Sequence, residues 1–483
     1  MKLSWLLLIV FVVLWDSSDV INGNIHSSAT SQLEVSSNND CEQKKSADEF
    51  PADVFSQQQR IHGAFLIHLL VLAYCFLFVA FVCQDYFLPA VFCICSELRV
   101  SPDVAAATFM ASATSVPEMC INVIATFVTK SDLGIGTIVG GSVNNTLAVA
   151  GVAGLAVRKS IKLEKWPLLR DSFIHICVLA VLALILSDGI VVWTEALVLV
   201  VLYFIYFFVM LTQKRIHSFI CKLTNFTSFL FPCARKRVYN VQRAEIYTVC
   251  DRIDNNVKLK PTQDQSKPPK DIIELYEAEK QNKILKLWKW FTFPIRFLLS
   301  STVPDCKSRT RIYPLTFIMS VVWIGLCSYV ACWMTTILGE TFNVPDIVMG
   351  MIFLSVCGNI PETSSAFINA RNDIGSMSIS NTLGANTLDI LLSLGMPWLV
   401  KTSLPQSYGG GSVHLSTGDL LFNCIGLASS VLILNIIAAV NHYRMNRIFG
   451  FSCLFSYFGI IVLFVIVSLG IVGIFSVSNG TAC

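Results

Sequence analysis

"ATSVPEMC", Ala113 to Cys120, lies inside an apolar stretch that starts near Ala105 and runs on past Phe127. Pro117 removes a backbone donor from the helix ladder, and Glu118 places a full charge beside it. Both are costly inside a bilayer. The same pair returns in "CGNIPETS", Cys357 to Ser364, as Pro361 and Glu362. Any reading of the chain has to account for both copies.

Around these two stretches the composition is that of a membrane protein. The chain has 483 residues, 54% hydrophobic and 14% charged, where a soluble domain carries about 25% charged residues. Several apolar runs exceed the roughly 18 residues that mark a spanning helix. Lipid leaves no partner for free backbone groups, so the spans are helices and the fold class is all-α polytopic. Apolar runs fall near 63–83, 103–128, 134–157, 171–187 and 190–211, then near 312–334, 346–370, 375–399, 417–440 and 449–476. That predicts about ten core spans, five on either side of a polar interval at 212–311. No nucleotide-binding loop, catalytic Cys/His arrangement or metal-hydrolase motif is present, which argues against an enzyme. Nothing points to nucleic acid or to a bound cofactor. His175 and the other six histidines show no clustering and receive no role.

Charge sets an expected orientation. The interval 212–311 holds 20 Lys and Arg against 9 Asp and Glu. The linkers with Arg158, Lys159, Lys162, Lys165 and Arg170, and with Arg444 and Arg447, fall on the same side of the membrane. By the positive-inside rule that side is cytoplasmic. Residues 1–23, with Lys2 before an apolar run, read as a signal peptide, and 24–60 as an extracellular N-terminal segment. The first transmembrane half is then 61–211 and the second 312–480, with both termini outside. Asn479 in "NGT" becomes a glycosylation acceptor on that reading, and Cys41 could pair with Cys483. Within the basic interval, "DIIELYEAEKQNKILKLWKW" reads as a helix capped by Asp271, facing anionic lipid, a regulator or solvent.

Shifting the chain by 244 residues lays Pro117 on Pro361, Glu118 on Glu362, Phe109 on Phe353, Gly140 on Gly384 and Gly151 on Gly395. Asn145 falls on Asp389. Eight of the 45 pairs from 107 to 151 are identical, a weak count, but the retained residues include those hardest to keep in a membrane. An odd number of spans separates the copies, so they run in opposite senses. Inverted repeats with broken helices around a midplane site are the mark of secondary transporters. On this reading the prolines free carbonyls to face a cation, and Glu118 and Glu362 meet near the midplane. Two facing carboxylates repel, and a divalent cation between them relieves the repulsion. Calcium takes about six to eight oxygens, and Thr114, Ser115, Asn145 and Asp389 can add to those of the glutamates. The competing reading is that the glutamates serve pairing or assembly.

The stretches "VAAATFMASATSVPEM", "SDLGIGTIVGGSVNN" and "INARNDIGSMSISNTLGANTLDILLSLGMPWLV" resemble the two alpha repeats of the potassium-dependent sodium/calcium exchangers, within the cation/calcium exchanger superfamily. "EFPADVF", "RIHGAFLIHLL", "EKWPLLRDS", "STVPDCKSR" and "YRMNRIFGF" agree with it. The resemblance implies two inverted five-helix repeats and alternating access. Inward sodium would drive calcium and potassium out, with the ions and membrane lipid as the partners. It places the cation site on Glu118 and Glu362, an amide at Asn145 and the potassium-associated aspartate at Asp389.

The chain also departs from the family. Gly-Thr-Ser before the second proline has become Cys357, Gly358 and Asn359, leaving Asn359 where a hydroxyl is usual. Gly-Ser pairs have become Gly140-Gly141 and Gly384-Ala385, and Phe has become Asn144. Ser142 and Asn386 lie next door but are expected to point elsewhere on their helices. The expected function is sodium/calcium exchange with potassium co-transport, most consistent with the plasma membrane. The alternatives are an exchanger-like scaffold or regulator, and a cation/proton antiporter.

Overall fold

The computed structural model describes residues 49–98, 109, 111–129, 131–223, 283–306, 312–371, 375–405, 411–415 and 420–468. The expected signal peptide, Asp271, Asn479 and the Cys41–Cys483 pair lie outside them.

The first half is built from α1 (Gln57–Glu97), α2 (Val116–Thr129), α3 (Leu133–Ala156), α4 (Lys165–Asp188) and α5 (Trp193–Leu223). The polar interval contributes α6 (Lys283–Thr302). The second half has α7 (Tyr313–Phe342), α8 (346–358), α9 (Ile360–Arg371), α10 (375–403), α11 (Leu420–Val440) and α12 (Arg447–Ser468). Eight of the described helices are long and apolar enough to cross a membrane. The two apolar stretches that break this rule carry Glu118 and Glu362. Large side chains such as Ile436 and Phe455 are exposed on α11 and α12, as a lipid-facing surface requires, since lipid tails are as apolar as the side chains themselves.

The breaks follow from the prolines. A short helical turn, Ala111–Thr114, ends at Ser115, and α2 starts at Val116 with Pro117 in its first turn. In the second half α8 ends at Gly358, and α9 starts at Ile360 with Pro361 next. Proline has no N–H to offer the carbonyl four residues back, so Ala113 and Cys357 lose their usual helical partners. Each break also puts a glutamate in the first turn of a new helix, where the helix dipole favours a carboxylate.

The two halves repeat one packing scheme in inverted order. α3 packs on α12, and α10 packs in the corresponding way on α5. Two short antiparallel ribbons clasp the bundle. β1 (Ile161–Lys162) pairs with β4 (Arg444–Met445), and β2 (Ile190–Val191) pairs with β3 (Val413–His414). With the broken pair α8 and α9 counted as one span, the β1 linker (α3 to α4) joins the third and fourth spans of its half, and so does the β3 linker (α10 to α11). On the same count the β2 linker (α4 to α5) and the β4 linker (α11 to α12) each join the fourth and fifth spans. The pseudo-two-fold therefore exchanges the ribbons, as an inverted repeat demands. A π-helical turn occurs within one residue of the same register in both, Asn144–Val149 and Asp389–Leu394.

Close backbone contact brings the two breaks to the bundle centre. A Cβ on Gly136 would run into the carbonyl of Ile347, and one on Gly140 into that of Met351. Glycine at these positions lets α3 and α8 touch backbone to backbone, the small-residue packing of membrane helices. Outside this centre α7 lies along α1. Arg60 at one end of α1 is buried and donates to Glu340 Oε2 at 3.1 Å, with Asp53 Oδ2 at 3.7 Å. Within the interval read as a cytoplasmic loop, α6 is packed structure: Ile295 and Leu299 are buried among Phe78, Val82 and Ile324.

Candidate functional site

A cavity of about 10 Å³, the room of roughly one water-sized sphere, lies between the repeats. Glu118, Thr137 and Gly141 line it from the first repeat, and Ser355, Asn359 and Asp389 from the second. Glu118 reaches it beside Gly358, where an added Cβ would lie 3.5 Å from Glu118 Oε1, in ordinary contact. Asp389 reaches it from the π-helical turn of α10, and α2 packs directly against that turn. Ser393 Oγ, on the same turn, donates to the carbonyl of Ser115 at 3.2 Å. The break of one repeat and the π-turn of the other are thereby stitched together. Lys401 Nζ donates to the carbonyl of Thr126 at 2.8 Å, occupying an acceptor near the end of α2.

The expected site residues are not all treated alike. Glu118, Asp389 and Asn359 line the cavity. Ser115 and Asn145 are buried, while Thr114 closes the short turn before the break. Glu362 sits in the first turn of α9, half-buried, and is not among the residues that line the cavity. Asn359 spends its amide donor on the carbonyls of Ser355 at 2.8 Å and Gly141 at 3.4 Å. It ties the second break to α3 in a way a serine hydroxyl in its place could not reproduce with both bonds.

Among the described residues, six buried oxygens in this region have no hydrogen-bond partner: Ser115 Oγ, Glu118 Oε2, Ser142 Oγ, Asn145 Oδ1, Glu362 Oε2 and Asp389 Oδ1. A buried polar atom without a partner is costly, and all six lie on the two repeats. No group of three or more His, Cys, Asp and Glu among the described residues stands together as a metal cluster. A cation here would therefore draw on neutral oxygens as well as carboxylates, the oxygen-only chemistry that suits hard cations.

Sequence reasoning missed two residues. Asn386 was expected to point away, but it is fully buried and bonds Asn145 across the repeats at 3.0 Å. The signal was available, since Asn386 precedes Asp389 by three residues and so lies on the same side of the helix. His175 received no role, yet it too is fully buried and its Nδ1 lies 3.1 Å from Thr387 Oγ1. No pattern in the sequence marks that contact, which joins α4 to α10.

The family profile described as sodium/calcium exchanger protein matches residues 68–212 and 312–467. Human sodium/potassium/calcium exchanger 5 is 32% identical over 453 residues, covering 88% of this chain and 88% of the relative. Human sodium/potassium/calcium exchanger 4 is 29% identical over 514 residues, covering 85% and 82%. A solved structure of the sodium-calcium exchanger NCX_Mj, at 15% identity, covers 82% of this chain and 99% of its own, with a TM-score of 0.43. The family is one of transporters and not of enzymes. On the extent of the profile match and the identity to its relatives, the chain belongs to the sodium/calcium exchanger family, on the branch of the sodium/potassium/calcium exchangers.

Proposed function

We propose that this protein is a secondary active antiporter that exchanges sodium for calcium, with potassium carried alongside calcium. The relatives that cover most of the chain are sodium/potassium/calcium exchangers, and the transported ions are Ca2+, Na+ and K+. The observation that carries the reading is the set of six buried, unpartnered oxygens, five of them at the two breaks and the two π-turns and the sixth, Ser142 Oγ, just ahead of the first π-turn. Oxygens left bare by the protein are satisfied when a cation binds, and calcium asks for about that number. Glu118, Asp389 and Asn145 form the centre of the site, Glu362 and Ser115 complete it, and Thr114 and Asn359 hold its two breaks.

The physical scheme is alternating access. Two inverted repeats present the same kind of break from opposite sides, so a rearrangement that opens one side closes the other. Charge balance couples the ions: with the carboxylates ionised, a divalent cation or several sodium ions neutralise them, and an unneutralised site is costly to move through the membrane. Orientation follows from the basic linkers and the polar interval, with both termini extracellular, the interval 212–311 cytoplasmic and the plasma membrane as the working location. Residues 1–23 are assigned as a signal peptide and 24–60 as an extracellular segment. The transmembrane halves are 61–211 and 312–480.

The test is calcium uptake into sodium-loaded cells expressing the protein, with external sodium removed and potassium varied. Uptake that needs internal sodium and disappears in Glu118→Gln supports exchange. Absence of uptake with the protein confirmed at the surface would turn the reading towards a scaffold or regulator. Uptake driven by a proton gradient without sodium would turn it towards a cation/proton antiporter.

A further inference from the structure

Asn386 lies three residues before Asp389 on α10 and is 0% exposed. Its Nδ2 donates to the carbonyl of Ser142 at 3.1 Å and to Thr146 Oγ1 at 3.0 Å. Its Oδ1 accepts from Asn145 Nδ2 at 3.0 Å. One of these partners sets the direction of the whole chain. A backbone carbonyl can only accept, so the end of the Asn386 amide that meets Ser142 must be the NH2 group. Its oxygen then faces Asn145, and only a donor satisfies it there. Asn145 must turn its own NH2 towards Asn386 and its Oδ1 the other way. That Oδ1 is buried with no partner among the described residues.

Direction matters because the two ends of an amide are opposite in polarity. The oxygen attracts a cation, and the NH2 group repels it. We propose that Asn386 is a positioning residue that locks the Asn145 side chain with its oxygen, and not its NH2, towards the transported cation. The proposal rests on the reading of Asn145 as an ion ligand and adds the residue that orients it. The place of the lock in the fold supports this role. Ser142 and Asn386 are equivalent positions in the two repeats, 244 residues apart, so their contact lies on the pseudo-two-fold. The second repeat supplies the amide that orients a ligand of the first. The arrangement therefore persists only while the two repeats keep their mutual packing at this point.

The experiment uses the full chain, reconstituted in liposomes, with flux measured against calcium concentration in two backgrounds. With Asn145 native, Asn386→Ala is expected to raise the half-saturating calcium about five- to tenfold while maximal flux is retained, the size of one ordinary hydrogen bond. In the Asn145→Ala background no amide is left at this position to orient. There Asn386→Ala is expected to leave the half-saturating calcium unchanged. Asn386→Ser, which carries the residue of the equivalent position, is the second variant if the alanine form fails to reach the membrane. Calcium-dependent thermal stabilisation of the purified protein gives a readout independent of flux.

An equal change in both backgrounds would mean that Asn386 only supports the fold, and would overturn the proposal. So would an unchanged half-saturating calcium in Asn386→Ala with Asn145 native. If Asn145→Ala itself binds and exchanges ions as the native protein does, the ligand role of Asn145 fails and the lock fails with it. That outcome is distinct from a native Asn145 role that persists without Asn386.

Discussion

The two helix breaks carry the same pair of residues and meet different surroundings. At the first, Ser115 and Glu118 are buried, and Glu118 faces the cavity across the bare backbone of Gly358. At the second, Asn359 turns its amide into the protein backbone, and Glu362 is half-buried and not among the residues that line the cavity. The second repeat instead sends Asp389 to the cavity, from the position where the first repeat has the neutral Asn145. The inverted repeat is thus symmetric in backbone and unequal in charge. An exchanger that must hold both a divalent ion and several monovalent ones gains from such inequality, because like subsites would not distinguish them.

The sharpest way to break this comparison is to neutralise the two glutamates separately. Glu118→Gln removes a buried carboxylate from the cavity itself, and sodium-dependent calcium flux should fall about a hundredfold or more, the scale of a lost charge-assisted contact. Glu362→Gln should cost about tenfold less than that, measured in the same flux assay at equal surface expression. Equal losses would show that the breaks act alike and that the difference in their surroundings has no functional weight. Asp389→Asn keeps the shape and removes the charge that has no equal in the first repeat. It should retain part of the flux while the dependence on potassium flattens, read from a potassium titration at fixed calcium.

Smaller effects sharpen the picture of the second break. Asn359→Ser gives up at least one of the bonds to Ser355 and Gly141 and puts a hydroxyl at the site. Supporting contacts of this kind shift ion affinity by about tenfold, so half-saturating sodium should move by up to that amount, with calcium changing less. Gly358→Ala is the mildest. The new Cβ would sit 3.5 Å from Glu118 Oε1, an ordinary contact, and calcium flux should stay within about twofold of the native protein. A severe loss there would mean that Glu118 has to move through the space above Gly358 during transport.

Much of the fold was legible in the sequence. Spanning helices announce themselves by runs of apolar residues, and a proline inside such a run marks a break wherever the helix is placed. Pro117, Pro361 and the 244-residue shift led to both breaks and paired Asn145 with Asp389, while the π-helical turns that carry these two residues were not foreseen. The helix α6 was half legible, since its lysines and tryptophans suggested an amphipathic helix while its packing of Ile295 and Leu299 against α1 was not foreseen. The site was legible as residue types and not as geometry. Glu118 and Asp389 were expected and line the cavity, and Glu362 was expected at the same place and is not among the residues that line it. Asn386 was set aside, because adjacency along the chain does not reveal which way an amide turns when a second helix faces it.

An α-helical membrane protein with an inverted repeat and two carboxylate-bearing breaks is readable from the residues alone. These properties depend on hydropathy, on the missing N–H of proline and on spacing, all of which are local or periodic along one chain. Which carboxylate of each repeat faces the shared cavity, and which way Asn145 presents its amide, emerge only from the packed bundle. Those outcomes depend on partners such as Asn386, 241 residues away, whose donors and acceptors are assigned only once the two repeats have packed together.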